Sequence, residues 1–132
     1  MQIRAQEQIL PIRTLTDMPS NFQLTDYKDF ANLFRILGDK TRLQILSLLK
    51  VHELCVCEIN QILHSTQSNI SQHLARLRIS GLVTERKSAQ WIYYTLNKDL
   101  PENVKQIILM LPESKEDIDM ILQSRETGQC NI

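Results

Sequence analysis

From Leu24 onward, apolar residues recur at intervals that name their own secondary structure. Tyr27, Phe30, Ala31, Phe34 and Leu37 follow a spacing of three and four, the stripe of an amphipathic helix, with Thr25 or Asp26 as cap and Gly38 as stop. Asp39 restarts the chain as an N-cap, and Arg42 to Lys50 carries Leu43, Leu46 and Leu49 on one side of a second helix. In LCVCEINQIL, Leu54 and Val56 alternate with Cys55 and Cys57, which predicts a short extended segment before a third helix over Glu58 to Leu63, with Cys57 at its N-cap. The loop His64 to Thr66 leads into QSNISQHLARLRIS, a fourth helix capped by Thr66 and stopped at Gly81. The period then changes to two. Trp91, Tyr93 and Thr95 share one face of a strand and Ile92, Tyr94 and Leu96 the other, while LVTER before the turn SAQ forms its partner in a β-hairpin. Pro101 suits the first turn of a fifth helix through Met110, Pro112 ends it, and Ser114 to Gln123 forms a short sixth helix before a fraying tail, RETGQCNI.

Helices three and four are separated by about three residues, the spacing of a helix-turn-helix. With the hairpin after them, the fold class expected is mainly α with a β-hairpin, a winged helix-turn-helix. On the fourth helix Ile70, Leu74 and Leu77 point inward, which leaves Asn69, Gln72, His73 and Arg76 as a polar stripe without an acid. Asn and Gln pair with adenine edges, Arg with guanine, and hydroxyls such as those of Ser68 and Ser71 with phosphate, so this face, with Gln67 at its start, has the chemistry of a major-groove reader. Most polar stripes are only solvated. The turn before this one and the basic hairpin after it, with Arg86 and Lys87 near its tip, favour DNA.

Length and charge sharpen this picture. A chain of 132 residues with 42% apolar content suits one domain. The divisions expected are an N-terminal arm over 1–24, a DNA-binding domain over 25–111, and a short helix with its tail over 112–132. No leader and no run of about 18 apolar residues stands out, so the expected location is cytoplasmic, away from membranes. Net charge is zero, yet residues 67–98 hold five basic residues against one acid, and 99–132 hold three against seven. The positive field is local to the proposed reading helix and wing. No Ser-His-Asp set, phosphate loop or catalytic carboxylate pair stands out, and no enzymatic activity or cofactor is assigned.

Three cysteines, an odd count, argue against a disulfide framework and for thiols. In an extended segment Cys55 and Cys57 share a face with Cα atoms roughly 6.6 Å apart, which suits one bound ion better than a bridge. Sulfur donors select thiophilic ions, and a helix mouth favours a thiolate. Cys130 in the tail is the candidate third donor, and His52 and His64 flank the pair. A lone cysteine would be a small buried hydrophobe. A CxC pair also fits a redox-active thiol protein, although no thioredoxin-like βαβ pattern surrounds it, and a winged helix used only for protein contacts would make the cysteines inert.

LGDKTRLQILSLL, ELCVCEI, ISQHLARLRISGLV and WIYYTL occur in an order that resembles the ArsR/SmtB family of metal-responsive bacterial repressors, over about residues 25 to 111. The resemblance implies a homodimer formed through the first and fifth helices, bound to a palindromic operator and released by a toxic metal or metalloid. ELCVCEI is similar to that family's sensing motif for arsenite, antimonite, cadmium or lead, and Cys55 and Cys57 match its first two cysteines. Asn60 stands where arsenic sensors often carry a third. The family's zinc site on the fifth helix has no counterpart, since PENVKQIILML lacks histidine. Ser88 and Ala89 stand where relatives tend to have glycine in the wing turn. The function implied is a repressor released by As(III) or Sb(III), the alternative being a Cd(II) or Pb(II) sensor.

Overall fold

In the computed structural model of the chain, which describes residues 23–127, two aspartates start the first two helices. Asp26 accepts from the Asp29 amide at 2.9 Å to open α1 (Tyr27–Leu37), and Asp39 accepts from the Arg42 amide at 3.0 Å to open α2 (Lys40–Leu49). Arg42 then joins three elements. Its Nε donates to the Ile36 carbonyl at 2.7 Å, at the C-terminal end of α1, and its Nη1 meets His73 Nδ1 at 3.2 Å.

The chain continues through a two-residue strand β1 (Leu54–Cys55) into α3 (Val56–Leu63). His64 ends α3 in the left-handed conformation, φ 56° and ψ 48°, and Thr66 opens α4 (Gln67–Ile79) by accepting from the Asn69 amide at 3.1 Å. Gly81, at φ 88°, turns the chain into the hairpin of β2 (Val83–Ser88) and β3 (Trp91–Leu96). The register runs from Val83 opposite Leu96 to Ser88 opposite Trp91, around a two-residue turn in which Ala89 takes φ 57°. That positive φ is where glycine sits without strain, so Ala89 occupies a position that its Cβ disfavours. β1 pairs antiparallel with β3, Cys55 opposite Tyr93, and makes the sheet three-stranded in the order β1-β3-β2. α5 (Glu102–Leu109) follows Pro101, and α6 (Lys115–Thr127) follows Pro112.

Ile45, Leu46, Ile59, Ile70, Leu74, Leu77 and Leu82 are fully buried where α2, α3, α4 and the hairpin meet. Ile108 of α5 and Ile118 of α6 close this core. Lys50 donates to the Leu109 carbonyl at 3.1 Å and neutralises the end of α5.

The stripe on α1 divides: Leu37 is buried beside Leu33, whereas Tyr27 is 94% and Phe34 58% exposed and Phe30 and Ala31 lie on the surface too. Helical spacing identifies an apolar face but not what covers it. Two expectations need correction. Helix three begins two residues earlier than its polar residues suggest, with Cys55 rather than Cys57 as N-cap, because the β1–β3 pairing ends at Cys55. The last helix runs on through Arg125, where the sequence predicts a frayed tail, because Ile118 and Ile121 seat it on the core and Arg125 has partners there. The arm up to residue 22 and Cys130 lie outside the described residues.

Candidate DNA-reading surface and thiol site

α4 rests on α3 through Ile70, Leu74 and Leu77, so its opposite side faces out. Ser68, Ser71, Gln72 and Arg76 are exposed, and Gln67, Asn69 and His73 are half-buried. The Asn69 amide nitrogen donates to Ser65 Oγ at 2.9 Å, and His73 is held by Arg42, so these two brace the turn and the α1 end while Gln72 and Arg76 stand clear. At the wing, Lys87 is exposed, but Arg86 is already engaged: it ion-pairs with Glu53, and its guanidinium lies 5.1 Å from the Tyr93 ring centroid. The Arg86 hydrogen bond holds the Glu53 carboxyl below its ordinary 4.5. Among the described residues the predicted DNA-contacting set therefore divides into a free face on α4 and a wing cation with a partner.

The cysteines come together at the mouth of α3. Cys55 and Cys57 are each 3% exposed, and their Sγ atoms stand 3.8 Å apart. Two sulfurs bound to one tetrahedral ion at about 2.3 Å are themselves about 3.8 Å apart, so the spacing fits a shared ion. No group of three or more His, Cys, Asp and Glu side chains is assembled here or elsewhere among the described residues. His52 Nδ1 contacts the Glu53 carbonyl at 2.7 Å, and His64 is an exposed helix cap. Asn60 lies one turn beyond Cys57, and its buried Oδ1 has no hydrogen-bond partner among the described residues.

Two parts of the thiol chemistry depart from expectation. Burial is the largest influence on Cys55 and pushes its thiol above the ordinary 9.0, against a hydrogen bond from the Glu58 amide. The N-cap position does not by itself produce a low-pKa thiolate where the site is dry and a carboxylate is adjacent. Cys55 is a thiol, but Cys57 is disulfide-bonded, so a shared ion requires the reduced chain.

Sequence reasoning missed Glu58 and Arg125. Glu58, 2% exposed, reaches back to the Cys55 amide at 3.0 Å, a capping box with cysteine where serine or threonine is usual. Arg125 of α6 grips that carboxylate through Nε at 2.5 Å and Nη2 at 2.8 Å, and Nη2 also donates to the Glu53 carbonyl at 3.1 Å. Burial pushes the Glu58 carboxyl up, but the Arg125 and Cys55 hydrogen bonds outweigh it and the net direction is down from 4.5. The spacing of Glu58 three residues after Cys55 was a legible signal; Arg125 offered none.

Comparison with known proteins decides the family. A model described as bacterial regulatory protein, arsR family, matches residues 39–85. The arsenical resistance operon repressor of Escherichia coli is 47% identical over 77 residues, 58% of this chain and 66% of that one. The arsenic resistance transcriptional regulator ArsR2 of Pseudomonas putida is 41% identical over 78 residues, 58% of this chain and 68% of that one. The chain belongs to the arsR family of bacterial regulatory proteins. A solved structure, reduced HlyU from Vibrio cholerae, superposes with a TM-score of 0.56 at 43% identity, covering 62% of this chain and 83% of that one. The family match spans α2, α3, α4 and the start of the wing, and the Escherichia coli and Pseudomonas putida relatives are an operon repressor and a transcriptional regulator. Among the described residues no helix is long and apolar enough to cross a membrane.

Proposed function

We propose that this arsR-family regulator is a homodimeric, cytoplasmic repressor that leaves its operator when arsenite or antimonite binds Cys55 and Cys57 in the reduced chain. The observation that carries the reading is the 3.8 Å separation of the two sulfurs at the mouth of α3, the helix packed directly on the groove reader α4. As(III) or Sb(III) takes two sulfurs and completes its shell with a hydroxide or a third thiol, for which Cys130 is the candidate. The two sulfurs are already at the spacing of a shared ion, but each cysteine is 3% exposed, so the ion and its third ligand need room that the packed mouth of α3 must yield, which displaces the start of α3 and with it α4. Gln67, Ser68, Asn69, Ser71, Gln72, His73 and Arg76 form the DNA-contacting set, with Arg86 and Lys87 on the wing, and residues 25–111 are the DNA-binding and dimerisation unit. The exposed Tyr27, Phe30 and Phe34 on α1, with Leu109 and Met110 at the end of α5, support this reading as the apolar surface through which two copies pair. A dimer presents two α4 helices to half-sites about one helical turn apart.

The experiment is operator release in reducing buffer, followed by fluorescence anisotropy. Arsenite should weaken wild-type binding about 5- to 150-fold, a typical allosteric coupling. Cys55→Ser and Cys57→Ser should bind the operator and ignore arsenite; if either responds as the wild type does, the site is misassigned. Running cadmium, lead and zinc beside arsenite and antimonite identifies the effector.

A further inference from the structure

We propose that Arg125 is a positioning residue that couples the thiol pair to the wing, so that effector binding acts on the hairpin as well as on α4. Both cysteines lie between Glu53 and Glu58, and Arg125 holds both ends of that stretch, the Glu53 carbonyl and the Glu58 carboxylate. Its guanidinium also lies 5.0 Å from the Tyr93 ring centroid, while that of Arg86 lies 5.1 Å from the same ring. Tyr93 faces Cys55 in one strand pairing and Arg86 in the other. Arg86 closes the ring of contacts through its ion pair with Glu53. Glu53, Arg86, Tyr93, Arg125 and Glu58 thus form one continuous circuit around the cysteines, with one side in the sensing loop and the other in the wing.

The consequence is mechanical and electrostatic. An ion and its third ligand, seated on two sulfurs of cysteines that are each 3% exposed, take room that the segment between Glu53 and Glu58 must yield, and Arg125 passes that shift to Tyr93. Arg86 shares both Tyr93 and Glu53, so its position at the wing depends on the state of the thiol pair. α6, outside the helix-turn-helix proper, becomes part of the response. This inference rests on the thiol site proposed above, and the wild-type arm of its test separates the two.

The chain's only tryptophan, Trp91, lies at the wing end of β3 and reports on the hairpin. Reduced wild type, Arg125→Ala and Tyr93→Leu are titrated with arsenite while Trp91 emission and operator affinity are recorded, with arsenite affinity measured separately by calorimetry. In the wild type, arsenite should change Trp91 emission and release the operator. In both variants arsenite should still bind within about threefold of wild type, Trp91 should stay silent, and the release factor should fall at least threefold; the double variant should lose no more than either alone. A release factor and Trp91 response equal to wild type in Arg125→Ala overturns the proposal, as does loss of arsenite binding itself, which would make Arg125 part of the binding site. If Arg125→Ala does not fold, Tyr93→Leu decides by the same criteria. A wild type that binds no arsenite contradicts the thiol-site reading, not the contact circuit.

Discussion

Replacing Arg125 with alanine exposes how the buried carboxylate beside the thiols is held. Glu58 is 2% exposed and accepts three hydrogen bonds, two of them from Arg125. Removing one partner of a buried ion pair costs about 3–5 kcal/mol, since the remaining charge stays desolvated. The Arg125 side chain is 27% exposed, so water reaches the vacated space and the lower end, about 3 kcal/mol, is expected at neutral pH. Glu58→Gln should cost less, about 1.5–3 kcal/mol, because the guanidinium left behind keeps Tyr93, the Glu53 carbonyl and solvent. The pH dependence carries a definite sign. Glu58 has a folded pKa below 4.5, so the stability it contributes is present above that pH and is lost as pH falls through the lower folded value. In Arg125→Ala, burial acts against the Cys55 amide and side chain without the guanidinium and moves the carboxyl upward, so the variant's deficit is largest near neutrality and shrinks as the pH approaches 4.5. Urea unfolding followed by circular dichroism, at fixed protomer concentration and several pH values, measures both variants. A deficit of about 0.5 kcal/mol or less, the scale of an exposed pair, or one that does not change with pH, would refute this account of Glu58.

Other outcomes are equally specific. Arg76→Ala should weaken operator binding by about 1–3 kcal/mol with or without arsenite, read by anisotropy, since it removes a base or phosphate contact and leaves the switch alone. Phe34→Asp should convert the dimer to a monomer by light scattering and weaken operator binding at least tenfold, about 1.4 kcal/mol, while the far-ultraviolet spectrum stays helical. Asn60→Cys should place a third sulfur one helical turn from Cys57 and tighten arsenite binding tenfold or more, measured by calorimetry.

Much of the fold was legible because local chemistry and tertiary packing agree. Asp26, Asp39 and Thr66 cap where side-chain oxygens at those positions must, and Ile70, Leu74 and Leu77 bury on a 3.6-residue period. The period of two in WIYYTL likewise marks β3. Three things were not legible, each for a stated reason. The start of α3 at Cys55 is set by pairing with Tyr93, about 40 residues away, which no local window contains. The destination of the α1 stripe depends on a surface that a single chain does not supply. The circuit through Arg125 joins residues separated by 67 positions, and an isolated arginine in a polar stretch looks like any solvated cation. At the site itself, the sequence marked Cys55 and Cys57 as a pair but placed both on one extended face, whereas the strand ends at Cys55 and Cys57 lies in α3; that geometry, the burial of Cys55 and the carboxylate behind it came only with the packed structure.

The central claim is that occupancy of the two sulfurs and occupancy of the operator are linked. Its most direct measurement follows both in one sample: reduced protein on labelled operator, titrated with arsenite while X-ray absorption counts sulfur neighbours of arsenic and anisotropy reports bound DNA. The account predicts that arsenic acquires at least two protein sulfurs over the same range in which the operator is released, and that protein with Cys57 kept in its disulfide does neither. Arsenic bound to sulfur while the operator stays bound with undiminished affinity would contradict it.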